Sequence, residues 1–287
     1  MKSFNAIWAV CAQNFRKWQT DQRVWCVWLM LLFLTLFYTD DMKTVAYYIG
    51  TKPPLWTFPF LYSQFHTKLL FTFPIVLLYC NAPFVDNNQI FVCMRSGRTN
   101  WLCGQVLYVV LSSGIYYIFL FLMTILTSVF SCELSAQWGK TLPTLATSSA
   151  AANSGAVFIE VSEFVIEYFT PVQAVWFTFV LSWCSAVFLG MLIFVCNLLT
   201  GTKIAGILSA ALAVAICGSV EHFNMKKLLH FSPVSWNTLD NVDVGGTTSN
   251  PSFTYCICVY TALFILITVL ILIFGRKSGF NMRGELK

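Results

Sequence analysis

The stretch Asn88-Gln89-Ile90-Phe91-Val92-Cys93-Met94-Arg95-Ser96-Gly97-Arg98-Thr99-Asn100-Trp101, within the segment from Asp86 to Gln105, is a short polar island in an oily chain. Apolar runs too long for a soluble core flank it on both sides. Arg95 and Arg98 bracket Gly97 directly before a new membrane-length segment. Lysine and arginine accumulate on the cytoplasmic side of membrane proteins, so the island is expected to be cytoplasmic. With that end fixed, every other segment takes its place by alternation.

Composition agrees with this class. The chain is 57% hydrophobic, 17% aromatic and only 10% charged, with a mean hydropathy of +0.71; soluble domains carry about 25% charge. A polytopic, all-α membrane protein follows. The net charge of +5 does not indicate nucleic acid, because the basic residues are dispersed beside apolar runs rather than clustered on one face. The eleven cysteines form no metal or redox pattern: Cys256-Ile257-Cys258 lacks the spacing of a C-x-x-C site.

Upstream of the island, residues 1–22 form an interfacial amphipathic segment. Phe4, Ile7, Trp8, Cys11, Phe15 and Trp18 recur at three- and four-residue spacing, with polar residues between them. The first span is expected from about Arg23 to Tyr38, ending at Asp40-Asp41. An external loop rich in proline and aromatics follows over residues 39–68. The second span covers about Leu69 to Val85, with kinks at Pro74 and Pro83. Downstream, the third span runs from Trp101 to about Phe130, the fourth from Pro171 to Leu199, the fifth from Ile204 to Val220 and the sixth from Phe253 to Phe274. Residues 131–170 and 221–252 are external segments, and residues 1–287 form a single transmembrane domain.

Six spans with both termini cytoplasmic assign eleven of the 17 basic residues, including every arginine, to the inner side and six lysines to the outer side. No ionisable residue is expected deep within a span, which argues against an ion-coupled transporter and a charge-lined channel. An intramembrane enzyme is equally unsupported: there is no H-E-x-x-H helix, and His66, His222 and His230 fall at the outer ends of spans. Without a Walker A sequence the chain cannot bind ATP in the P-loop manner.

An interfacial N-terminal helix, six spans and the run Gln-Ile-Phe…Arg-Ser-Gly-Arg-Thr-Asn-Trp-Leu-x-Gly-Gln between spans two and three resemble the type II ABC exporter permeases. The likeness is to the bacterial half-size permeases without a fused nucleotide-binding domain. It covers the whole chain in architecture and is most specific over Asn88 to Gln105, although Gln105 stands where that family often has lysine. The resemblance implies a permease subunit in the bacterial plasma membrane. No catalytic, metal or cofactor site is expected in this chain, and ATP and Mg2+ would be held by a separate ABC ATPase subunit. A second permease copy or a sister permease would complete the path, with lipid around it and no nucleic acid involved. It further implies that segment 86–100 is a coupling segment: Gln89, Ile90, Phe91 and Met94 meet the ATPase, Arg95 and Arg98 pair with its acidic groups, and Gly97 ends the coupling helix. Headgroup anchoring is the other reading of the two arginines. A stand-alone membrane protein that binds a peptide without transporting it, as in immunity or sensing, is the alternative for the whole chain.

Two further groups carry paired readings. Ser112, Ser113, Tyr116 and Tyr117 in the third span either line a path between protomers or make interhelical hydrogen bonds. Glu160, Glu163 and Glu167 are spaced as one helical stripe, either an external acidic face for cationic peptides or headgroups, or the solvated side of an amphipathic helix. The substrate class (lipid, peptide or small hydrophobic molecule) is not encoded in any of these residues.

Overall fold

The computed structural model describes residues 2–85, 89–129, 131–132, 135–148, 153–156, 158–223, 225–244, 246 and 249–277, with the backbone alone at 2, 89, 90 and 277. Its helices are α1 (Lys2–Arg16), α2 (Gln22–Ile49), α3 (Phe65–Tyr79), α4 (Gln89–Ser96), α5 (Arg98–Ser128), α6 (Thr141–Thr147), α7 (Glu163–Tyr168), α8 (Pro171–Thr200), α9 (Lys203–His222), α10 (Lys226–Leu229) and α11 (Phe253–Lys277). An isolated bridge pairs Asp243 with Ser252.

Five helices (α2, α5, α8, α9 and α11) are long and apolar enough to cross a membrane, against the six expected. The shortfall is α3, whose 15 residues span about 22 Å at 1.5 Å per residue, less than the ~30 Å hydrocarbon core. It begins four residues before the expected start and ends at Tyr79, so Pro74 lies inside the helix and Pro83 beyond it. Its two ends nevertheless meet opposite ends of the bundle. Lys68 in its first turn pairs with Glu221 near the end of α9, whereas the carbonyl of Cys80, just past its last turn, accepts from Asn197 near the end of α8.

Helix α2 corrects the expected loop after Tyr38. It runs through Asp40, Asp41 and Lys43 to Gly50, where a φ of 76° ends it. Leu31, Thr35, Tyr38, Met42 and Val45 form a buried stripe at three- and four-residue spacing that carries the helix past the acidic pair. Asp40 points outward, and Asp41 accepts the backbone N–H of Phe158. In the proline- and aromatic-rich stretch that follows, the aromatics are packed into the bundle rather than interfacial. Phe58, Phe60, Leu61 and Tyr62 are buried and plug the end of the bundle, with Phe58 edge-on to Phe121 and Phe60 against Trp138.

Helix α8 is the central and most buried crossing, packed against α3, α5, α9 and α11. Its start is fixed by Pro171 and a capping box between Thr170 and Gln173, and its end by Gly201 at φ 69°. Helix α1 lies along the start of α5, where Val10 leaves no room for a Cβ at Gly104 and Asn14 donates to Gln105 at 3.0 Å. Half of its expected lipid face is therefore spent on protein: Cys11 is buried, while Phe4 and Trp8 stay exposed.

Candidate functional site

The first candidate is the helix built from the polar island. Helix α4 is eight residues long and is separated from α5 by Gly97, whose φ of 81° and ψ of 146° suit glycine alone. The Gly97 N–H still closes the last turn by bonding to the Cys93 carbonyl. Val92 and Cys93 pack inward, whereas Phe91 and Met94 stand 64% and 69% exposed. Arg95 is exposed beside them. Arg98 is exposed too, but its guanidinium donates to the Arg276 carbonyl at 2.9 Å, and Arg276 in turn donates to Thr99. Arg98 is thereby tied to the end of α11. The side chains of Gln89 and Ile90, and the whole of Asp86 to Asn88, lie outside the described residues.

This end of the bundle gathers the basic residues. Contacts among the start of α2, the ends of α3, α8 and α11, and the starts of α5 and α9 place Arg16, Lys17, Arg23, Arg95, Arg98, Lys203 and Arg276 together at one end. Of the described acidic residues only Asp21 joins them, as the N-cap of α2 paired with Arg23 at 2.7 Å. The grouping matches the alternation expected from sequence. Arg283 and Lys287 lie outside the described residues.

Ser112, Ser113, Tyr116 and Tyr117 are all wholly buried inside this chain. The Tyr79 hydroxyl lies 2.8 and 2.7 Å from Ser112 and Ser113. The Tyr116 hydroxyl donates to the Phe71 carbonyl at 2.6 Å, and Tyr117 accepts from Tyr62 at 3.1 Å. Ser112, Ser113 and Tyr116 thus bond to α3, and Tyr117 to the segment that precedes it.

The expected glutamate stripe is broken. Glu163 and Glu167 belong to α7, but Glu160 precedes it outside any helix, and Ser162 at the helix start is extended at φ −81° and ψ 131°. The Ser162 hydroxyl does not cap α7. Glu160 therefore faces a polar cavity at the end of the bundle opposite α4, shared with Glu221 and Asp240. Residues 149–152 of the segment 131–170 lie outside the described residues.

The feature that sequence reading missed is the Lys68–Glu221 ion pair. Lys68, expected at the solvated outer end of a span, has a fully buried side chain, and that of Glu221 is 17% exposed. Asn241 donates a second bond to the same glutamate oxygen at 2.9 Å and another to the Ser235 carbonyl. Nearby, the Thr238 hydroxyl donates to the Tyr62 carbonyl at 2.7 Å, joining the segment before α3 to the one before α11. The partners stand 153 residues apart, so no local spacing announces them. The one sequence signal is that each is an isolated charge at the edge of an apolar run.

No family model matches the chain, and neither a curated protein nor a solved structure does.

Proposed function

We propose that this chain is the membrane-spanning permease subunit of an ATP-driven exporter in the bacterial plasma membrane. In this reading α3 makes the sixth crossing, both termini and α4 face the cytoplasm, and a second permease copy or a sister permease completes the path. ATP and Mg2+ are bound by a separate ABC ATPase subunit, and no catalytic or cofactor site belongs to the permease itself. The observation that carries the reading is α4: a short helix, set off by Gly97 and backed by α1 and α5, that exposes Phe91 and Met94 at the arginine-rich end. Exposed apolar side chains on a rigid element are what a partner cleft can grip, and buried anchors of this kind carry most of an interface's energy. Arg95 is free to meet acidic groups of the ATPase, whereas Arg98 serves first to hold α11 in register with α5.

The test is the Phe91→Ala, Met94→Ala double variant, purified in mild detergent with its ATPase. Losing an anchor commonly costs about 2 kcal/mol, or roughly 30-fold in affinity. The ATPase should be lost from the variant while its membrane insertion and melting temperature stay unchanged. A variant that keeps its ATPase and stimulates hydrolysis as the parent does removes the docking role of α4.

A further inference from the structure

A cavity of about 550 Å³ lies at the end opposite α4, within the ~300–1,000 Å³ range of small-ligand sites. Its walls come from the start of α3, the end of α9, α10 and the stretch around Asp240. Three carboxylates face it: Glu160, Glu221 and Asp240. Glu221 already has Lys68 and Asn241 as partners. Asp240 has Oδ1 shut off from solvent without a hydrogen-bond partner. Among the described residues Glu160, the more exposed of the remaining two, makes no ion pair.

The electrostatics agree with this geometry. Burial pushes the Asp240 carboxyl above the usual carboxylate range, against the Ser162 hydroxyl and the charge of Lys68, which pull it down. Burial and the neighbouring Asp240 push Glu160 up as well. Glu160 and Asp240 lie near one another, and among the described residues the only cation that offsets Asp240 is Lys68, already bound to Glu221; such a pair favours an incoming cation. The lysine on the cavity's edge, Lys226, is exposed on α10. Part of the otherwise polar lining is apolar. Phe65 lines it, with its ring seated so closely on Gly218 that a Cβ there would strike it, and Met225 lies on the lining as well. An aromatic face and a thioether suit an aliphatic stem with a cation at its tip.

We infer that this cavity binds the guanidinium or ammonium group of a basic peptide side chain, with Glu160 and Asp240 as the counter-charges and Phe65 against the stem. The inference stands on the cavity whether or not the chain is a permease. If it is one, a basic peptide is the class of substrate, and the binding assay needs no ATPase, so either reading can fail alone.

The experiment uses the full chain in lipid nanodiscs, titrated calorimetrically with N-acetylarginine amide and with its near-isosteric uncharged analogue N-acetylcitrulline amide. The arginine compound should bind saturably, and the citrulline compound at least tenfold more weakly. Glu160→Gln should weaken arginine binding several-fold, and Glu160→Gln with Asp240→Asn at least tenfold, with size-exclusion profile and melting temperature unchanged. Lys226→Gln should tighten binding, while Glu163→Gln with Glu167→Gln on α7 should leave it unaltered. Equal binding of both compounds overturns the inference. So does unchanged binding by Glu160→Gln, which alters an exposed residue and does not threaten folding, or a loss confined to the α7 double variant, which would mark surface attraction alone.

Discussion

Replacing Lys68 by methionine tests the polar joint between α3 and α9. The substitution keeps an unbranched side chain in a fully buried site but removes the charge that balances Glu221. Glu221 would retain only the Asn241 amide at 2.9 Å. Removing one member of a buried pair costs about 3–5 kcal/mol, because the other charge is left uncompensated. The carboxylate here keeps some access to solvent, with 17% of its side chain exposed, so the lower end, about 3 kcal/mol, applies. At about 2–4 °C per kcal/mol for chains of comparable size, the melting temperature should fall by about 6–12 °C. The assay is thermal unfolding of the detergent-solubilised protein, followed by tryptophan fluorescence and size exclusion. The double variant Lys68→Met, Glu221→Met removes both charges, and Asn241 keeps its bond to the Ser235 carbonyl. It should regain at least half of the loss, since apolar replacements of a whole buried pair are often neutral or stabilising. A Lys68→Met protein that melts with the parent, or a double variant no more stable than the single one, would refute this account of the joint.

Asn197 should behave as a second joint. It donates to the Cys80 and Ala82 carbonyls at 3.1 and 2.7 Å and accepts from the Gly206 N–H at 2.8 Å, so Asn197→Leu should cost about 3 kcal/mol at about 1 kcal/mol per bond, while Asn197→Asp, which keeps the acceptor, should melt between leucine variant and parent. Orientation can be read by labelling single cysteines in a background lacking the native ones: Lys140→Cys, exposed at the end opposite α4, should react in intact cells and Ser96→Cys only after permeabilisation. The reverse pattern would invert the proposed topology and remove the docking role of α4 with it.

Much of the helical layout was legible because one physical signal dominates it. Long apolar runs must satisfy their backbone internally, and helices do so; glycine at 97 and 201 then marked where runs stop, as the left-handed or otherwise positive φ at both positions shows. The end of α2 was misread because an acidic pair resembles a boundary. The stripe through Tyr38, Met42 and Val45 is the stronger signal, since Asp40 can point outward without breaking it. The glutamate stripe failed for the opposite reason. Its spacing was helical, but Ser162 lies on extended backbone, α7 begins only at Glu163, and Glu160 falls before it. Periodicity states what a helix would present, not whether one forms there. The buried aromatics after α2 were misplaced because composition alone does not distinguish an interfacial loop from a plug.

The placement of the polar joints follows from where water ends. Helices α3 and α9 are joined by side-chain bonds near both ends: Asn197 bonds to the carbonyls beyond α3 and to Gly206 in the first turn of α9, and Lys68 binds Glu221 at the other end. Between these joints the buried face of α9 is carried by Gly206, Ala210, Val214, Cys217 and Gly218; it packs mainly on α8, and Gly218 lets Phe65 of α3 approach its backbone. A hydrogen bond or ion pair in the middle of this contact would have to be desolvated on both sides, whereas at the ends Glu221 keeps partial access to water and Asn241 supplies a further donor. The pair therefore costs less there than it would at mid-depth, and still fixes the register of two helices whose apolar surfaces alone specify it weakly. The same location leaves Glu221 on the wall of the acidic cavity. The element that fixes α3 against α9 is thus also part of the surface that meets a cation, and Lys68→Met should alter both the melting temperature and the affinity for N-acetylarginine amide. Removing Lys68 leaves a third carboxylate without its counter-charge, so arginine binding should tighten as stability falls. A variant in which stability falls and binding stays unchanged would separate the joint from the cavity.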